Sequence, residues 1–265
     1  MENSKVIAEA QKLGLDKVGF CSAKDFNQNF KSVIAAVFPY YTGKIDGANI
    51  SKYCFGSDYH KVVSRTLSRL ADALGLNGFE IFCDIGKNDD RKIAHRCGLG
   101  FYGINSLIIN EEYGSYFFIG YIFCNEDFEY STPVKTVCKR CMACKNACPA
   151  GAVRGDFTID ADKCLSNVTQ KKGELQCNEI AMIKENNSVF GCDICQDVCP
   201  HNKNAKKSHF DAFTKNLITK LEYEDLANLS NKEFLKKYGE RAFAWRGKKV
   251  VERNLSYIKD GKSEK

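Results

Sequence analysis

No stretch of this 265-residue chain is apolar over the roughly 20 residues that a membrane-spanning helix needs. The longest apolar run, Tyr116–Phe123, has the length of a single buried strand. The opening residues, MENSKVIAEAQKLG, are polar and amphipathic and hold no apolar core of the kind a secretion signal carries. Internal repeats and low-complexity tracts are absent too. These absences predict a soluble, cytoplasmic globular protein with no membrane partner. Its length suits one large domain or two modest ones.

Cysteine, by contrast, is abundant. Nine of the fourteen cysteines fall between Cys138 and Cys199. A disulfide scaffold would spread them through a short secreted chain, whereas clustered cysteines in a reducing compartment hold metal. The first run, Cys138-Lys-Arg-Cys141-Met-Ala-Cys144-Lys-Asn-Ala-Cys148-Pro149, has the C-x2-C-x2-C-x3-C-P spacing of bacterial ferredoxins. The second, Cys192-Asp-Ile-Cys195-Gln-Asp-Val-Cys199-Pro200, repeats its last three cysteines, and Cys164 can supply the missing one. In such pairs the Cys before Pro serves the other cluster. The spacing therefore predicts two [4Fe–4S] clusters, one on Cys138, Cys141, Cys144 and Cys199, the other on Cys148, Cys164, Cys192 and Cys195. Zinc is the competing reading of C-x2-C, and two C-P endings argue against it. Cys177 reads as a bystander, and Cys21, Cys83, Cys97 and Cys124 as small core residues.

The net charge is +6, and the stretch from Lys203 to Lys265 alone carries 16 Lys and Arg against 9 Asp and Glu, a surplus of 7. A basic tail of this kind suits an anionic partner such as RNA, or is a solvated surface.

Along the chain, Ser4–Leu13 has helical spacing with Val6, Ile7, Ala10 and Leu13 on one face. Asp16–Cys21 and Ser32–Tyr41 read as strands. Asp58 can cap a helix running to Leu74, with Val62, Leu67, Leu70 and Leu74 inward and Gly75 at its end. Phe79–Asp84 reads as a strand, Asp89 or Asp90 as the start of a helix ending near Gly98, and Ser106–Ile109 and Tyr116–Phe123 as further strands. The mixture predicts an α+β protein with three parts: residues 1–132, a cysteine module over 133–202, and a basic segment over 203–265 with short helices such as Asn231–Tyr238 and a charged, frayed end.

Two adjacent clusters relay electrons but do not choose a substrate, so substrate chemistry belongs to the first part. Several strings there resemble the epoxyqueuosine reductases, cobalamin- and iron–sulfur-dependent enzymes of tRNA queuosine synthesis. They are Leu13–Phe20 (LGLDKVGF), Tyr53–His60 (YCFGSDYH), Asp84 followed by Cys97–Gly103 (CGLGFYG), Gly114–Gly120 (GSYFFIG), Cys164-Leu165-Ser166, Gly191–Asn202 and Arg253-Asn254. The chain departs from the family pattern at Lys87, Phe101 and Ile104, where the family has Pro, Trp and Lys. Its link Asp25–Lys31 is shorter, and it reads as a short form without the C-terminal helical-repeat domain many members carry.

The resemblance implies a nitroreductase-like domain holding base-off cobalamin against the clusters, with reductive dehalogenases similar in architecture. It implies removal of the epoxide oxygen of epoxyqueuosine in tRNA, the last step of queuosine biosynthesis, by a monomer fed by a low-potential donor of ferredoxin or flavodoxin type. Asp84 matches the family's proton donor, and burial at the end of an apolar strand would favour its protonated form. From the residues alone, Asp84 reads equally as a helix cap or strand-end turn. Cys54, Ile108, Ile119 and Ile122 match positions that line the corrin, and Cys192-Asp193 the stretch where a cluster meets it. Ser166, Lys171 and Lys172 fall where the family touches RNA. His60 reads as a helix-start residue and His201 as a neighbour of the clusters. Two other functions fit the same strings: a cobalamin-dependent reductase of a small molecule, and an iron–sulfur protein passing electrons to a corrinoid or redox partner.

Overall fold

The computed structural model describes residues 1–84 and 86–263. Helix α1 (Asn3–Lys12) buries Val6 and Ala10 and leaves Ile7 exposed, a narrower stripe than the spacing suggested. Strands β1 (Val18–Ser22) and β2 (Ser32–Pro39) pair antiparallel. Helix α2 (Tyr59–Leu74) is capped by Asp58, which accepts from the His60 amide, and ends on Gly75 at φ 67°, a conformation that costs a residue without Cβ little. Then come β3 (Glu80–Phe82), α3 (Asp90–Arg96), β4 (Phe101–Tyr102), β5 (Ile108–Ile109) and β6 (Phe117–Cys124).

Four strands form a sheet in the order β1-β2-β6-β3, with β4–β5 a separate hairpin. Every pairing among these six strands is antiparallel, which makes the class α+β. The central strands are covered on both faces: Ile34, Ala36 and Phe38 join the cluster of α1 and α2, while Val33, Ala35 and Val37 join that of α3. Double burial explains why β2 and β6 are continuous apolar runs rather than alternating ones. Helix α2 crosses β6 at Gly120, where a Cβ would stand 2.4 Å from Val63 Cγ1. That close approach puts Val63, not Val62, at the bottom of the groove: Val63 is fully buried and Val62 only partly.

The cysteine module is mostly irregular, with short helices α4 (Ala143–Ala147), α5 (Leu165–Val168), α6 (Cys177–Glu185) and α7 (Ile194–Asp197). Helices α8 (Asp211–Thr214), α9 (Glu224–Ala227), α10 (Asn231–Tyr238) and α11 (Lys248–Ser263) follow. The sequence pattern did not reveal α11, because Val250, Val251, Leu255 and Ile258, its buried apolar residues among those described, are interspersed with charge. The charged end expected beyond it lies, from Glu264, outside the described residues. One buried cluster takes in Val6, Leu67, Phe190, Phe213, Phe243 and Val251, so all three stretches share a core. Among the described residues no helix is long and apolar enough to cross a membrane.

Candidate active site and cluster module

Strand β3 stops at Phe82, two residues earlier than expected, and pairs only with Tyr121–Phe123 of β6. The chain then turns outward through Asp84, whose φ is 58°. This overturns the expected burial: the Asp84 side chain is 68% exposed. Asp84 is nevertheless held on both sides. The Tyr59 hydroxyl, from the first turn of α2, donates to Asp84 Oδ2, and His60 Nε2 lies 3.9 Å from the same oxygen. The Asp84 amide donates to Asp90 Oδ2 (2.8 Å), and Tyr121 donates to Asp90 Oδ1 (2.7 Å).

The supporting side chains are themselves fixed. The Tyr59 ring stacks on Phe118 at 4.1 Å and 5°. Burial first, then the Asp84 charge, pushes its phenol far above the usual range, so Tyr59 stays a donor. His60 Nδ1 lies 2.9 Å from Asp58 Oδ1. Burial works against the Asp58 charge, but the hydrogen bonds from His60 outweigh it and hold this carboxyl below its ordinary value. For Asp90 burial prevails over its hydrogen bonds and raises it.

The segment before α2 joins this corner to the cysteine module. Asp193 accepts from the Ser51 hydroxyl (2.6 Å) and the Lys52 amide (2.8 Å), and Lys52 Nζ donates to Asp197 at 2.6 Å. Burial opposes the Lys52 charge, but Asp193 and Asp197 overrule it and hold its pKa up. Gly191 lets the two backbones close: a Cβ there would meet Ser51 Cβ at 2.5 Å. On the other side Ser115 donates to Gln196 (2.9 Å) and Tyr116 to Asp197 (2.6 Å). Cys192-Asp193 is thus fastened beside Ser51–Cys54, and Tyr53 meets Tyr59 edge-on at 6.3 Å.

Within the module, Cys138, Cys141, Cys144 and Cys199 line one small cavity. Cys192 lies within electrostatic reach of Cys164 and Cys148, and Cys195 within reach of Cys192, Cys164 and Cys144. The eight cysteines thus lie close together, Cys195 facing Cys144 as well as Cys192 and Cys164. Burial pushes the Cys192 thiol up to about 12, so without a metal it stays protonated. His201 accepts from the Lys139 amide at 3.3 Å, between the two cysteine runs. Cys177 sits exposed at the start of α6.

The expected corrin-lining residues do not share a face. Ile108 and Ile119 join the α3 side of the sheet, Cys54 and Ile122 the α2 side. Cys54, Ile108 and Ile122 are at most 4% exposed, and Ile119, on the β6 edge that β3 leaves uncovered, is only partly buried. Ile119 is thus the one of these four side chains that a ligand could reach.

Of the expected RNA residues, Ser166 gives its carbonyl to Thr169 and Gln170, and Lys171 pairs with Glu179 at 2.5 Å. Lys172 faces a groove of about 600 Å³ shared with Arg246, Lys248, Lys249 and Arg253. Arg246 lies 3.6 Å over the ring of Trp245, which is 57% exposed, and Arg246 Nε has no hydrogen-bond partner among the described residues. Arg253 donates to the carbonyls of Lys171 (2.9 Å) and Gly173 (2.5 Å), while Asn254 donates to those of Thr169 and Val189. The Arg253-Asn254 string therefore clamps the turn that carries Lys172.

Sequence reasoning missed Tyr59, Asp90, Tyr121 and Lys52 as parts of this corner. Tyr59 stood inside a quoted string, but only the fold brings its hydroxyl to Asp84. Asp90 looked like a cap; Asp89 takes that role, accepting from the Arg91 and Lys92 amides.

Comparison with known proteins gives two family matches: a 4Fe-4S double cluster binding domain over residues 137–202, and "Epoxyqueuosine reductase QueG, DUF1730" over residues 21–84. The module accordingly binds iron–sulfur clusters. The epoxyqueuosine reductase of Bacillus subtilis is 30% identical over 97% of this chain and 79% of its own length. That of Lactococcus garvieae is 39% identical over 79% of this chain, which spans 60% of that relative. A crystal structure of epoxyqueuosine reductase with an epoxyqueuosine-modified tRNA-Tyr stem loop superposes with a TM-score of 0.87 at 29% identity, covering 97% of this chain and 80% of that one. A catabolic reductive dehalogenase shares the fold, with a TM-score of 0.57 at 13% identity over 98% of this chain and 36% of that one. The chain belongs to the epoxyqueuosine reductase family.

Proposed function

We propose that this protein reduces epoxyqueuosine in tRNA to queuosine. The balance is one epoxide, two electrons and two protons giving one alkene and one water. The observation that carries the reading is the continuous run from Cys192-Asp193 through Lys52–Cys54 to Tyr59 and Asp84, which joins an electron relay to an exposed acid.

Cys138, Cys141, Cys144 and Cys199 hold one [4Fe–4S] cluster, and Cys148, Cys164, Cys192 and Cys195 the other. Ile119 and Asp84 are among the residues that would hold base-off cobalamin, which would supply a metal centre reducing enough to open a C–O bond. Asp84 presents Oδ1 to the substrate while Tyr59 keeps Oδ2, and delivers a proton to the departing oxygen. His60, oriented by Asp58, returns a proton to Asp84 from solvent. The groove of Lys172, Arg246, Lys248 and Lys249 takes RNA phosphates, and Trp245 offers a face for stacking. The enzyme works as a cytoplasmic monomer fed by an external low-potential protein donor.

The test is anaerobic turnover of an epoxyqueuosine-modified stem loop by protein loaded with iron, sulfide and cobalamin and supplied with a strong reductant. Loss of one oxygen atom from the modified base, read by mass spectrometry, is the expected result. Cobalamin bound with no oxygen lost would overturn the substrate. An absorbance spectrum showing clusters alone after cobalamin is offered would overturn the cofactor.

A further inference from the structure

From Ser131 to Gly155 the chain has five basic residues, Lys135, Lys139, Arg140, Lys145 and Arg154, and no Asp or Glu. This stretch carries the first cysteine run and is exposed at Lys135, Val137, Lys139, Arg140, Cys141, Met142 and Lys145. Val137 is 74% exposed and Met142 38%. Arg140 lies over Phe157 at 4.9 Å and Arg154 pairs with Asp160 at 3.6 Å, while Lys135, Lys139 and Lys145 have no ion pair among the described residues. Glu111 reaches the edge of the patch, accepting from Thr136.

We propose that this patch is the docking surface through which electrons enter, and that its partner is a small acidic redox protein. The inference rests on the reading that the clusters relay electrons to the Asp84 corner. The two ends of the relay differ. Cys192 and Asp193 are fastened against Ser51 and Lys52 in the interior, whereas Cys141 is exposed. Electron entry from a protein too large to penetrate therefore belongs at Cys141. Cations around a cluster also balance the negative charge of its thiolates and sulfides, but that does not account for an apolar Val137 and Met142 standing in solvent beside them. Brief redox encounters use small interfaces with complementary charge and a few apolar contacts. RNA is the other polyanion such a patch would attract. The stretch from Ser131 to Gly155 holds no aromatic residue to stack on a base, whereas Trp245, next in the chain to Arg246 of the other groove, is 57% exposed.

The experiment follows bleaching of the iron–sulfur absorbance of the cluster-loaded protein in stopped flow, without tRNA. The reductant is flavodoxin hydroquinone in one series and dithionite in the other. In the Lys135→Glu, Lys145→Glu double variant, reduction by flavodoxin slows about tenfold at low ionic strength, and the gap to wild type closes as salt rises. Reduction by dithionite keeps its wild-type rate. Equal flavodoxin rates in variant and wild type overturn the proposal. So does an unchanged flavodoxin rate with weakened stem-loop binding, which makes the patch an RNA surface. Should charge reversal cost iron, Lys135→Gln with Lys145→Gln adds no negative charge; it slows flavodoxin reduction at full iron content, and an unchanged rate there overturns the proposal equally. Failure of the substrate reading looks different: patch-dependent reduction with no loss of oxygen from tRNA.

Discussion

The Tyr59 hydroxyl donates to the Asp84 carboxylate, tying the outward-turned loop after β3 to the first turn of α2. Asp84 is exposed, so this bond and the one from its amide to Asp90 are what hold the acid in place. Tyr59→Phe removes the first while keeping the ring that stacks on Phe118. A hydrogen bond to a charged group contributes about 1.5–3 kcal/mol, so single-turnover reduction of the modified stem loop slows by about tenfold or more, with binding of the stem loop unchanged. Asp84→Asn removes the proton donor, and the loss grows to about a hundredfold or beyond. Equal rates in Tyr59→Phe and wild type would sink the positioning role; normal turnover in Asp84→Asn would sink the acid.

Asp58 has a second duty as the cap of α2. Its carboxyl is held below its ordinary value, because the His60 hydrogen bonds outweigh burial. A depressed carboxylate contributes stability that is fully present above the unfolded value, about 3.9, and is lost as pH falls through the lower folded value. Asp58→Ala should cost about 1 kcal/mol, seen as a fall of a few degrees in Tm, between pH 5 and 8. The gap between wild type and variant should shrink below pH ~4. A gap that widens on acidification would contradict the sign of this argument.

How far the sequence was legible follows from the range of the interactions involved. The Asp58 cap and Gly75 are local patterns, and the structure carries them as read. The two faces of the sheet were not legible, because Ile119 and Ile122 are both isoleucines in a doubly buried strand and only the crossing of α2 over Gly120 distinguishes their sides. The exposure of Asp84 was misjudged for a related reason. Phe79–Cys83 is apolar enough to continue a strand, yet pairing stops at Phe82 and the Asp84 amide turns to Asp90, six residues on. Lys52 gave no signal either: a lysine held among Ser51, Asp193 and Asp197 becomes visible only when residues about 140 positions apart in the chain meet.

The cysteines give a prediction with a built-in control. Cys164 stands apart from both runs in sequence yet lies within reach of Cys192 and Cys195. Cys164→Ser should lower the iron content of reconstituted protein from about eight to about four atoms per chain, the loss of one cubane. Cys177→Ser, at an exposed site at the start of α6, should leave it at about eight. Iron analysis with the electron paramagnetic resonance of the reduced protein reads both. Loss of iron in Cys177→Ser with none in Cys164→Ser would exchange their roles.

The groove beside α11 separates RNA affinity from chemistry. Lys248 and Lys249 open that helix with no acidic residue in its first turn, so their charges and the helix N-terminus act on the same anion. Lys248 also pairs with Glu252 at 3.1 Å, which leaves Lys249 the freer cation. Lys249→Ala should weaken stem-loop binding severalfold and reduce the salt slope by about one, independent of whether the base is modified. Trp245→Ala should weaken binding by about 1–3 kcal/mol with the salt slope unchanged, as expected for stacking rather than charge. Neither change touches Asp84 or the cysteines, so saturating RNA should restore turnover in both. Fluorescence anisotropy across a salt series checks the first two claims, and single-turnover rates at high RNA check the third. A rate that stays low at saturation would mean that the groove orients the modified base instead of merely holding the backbone.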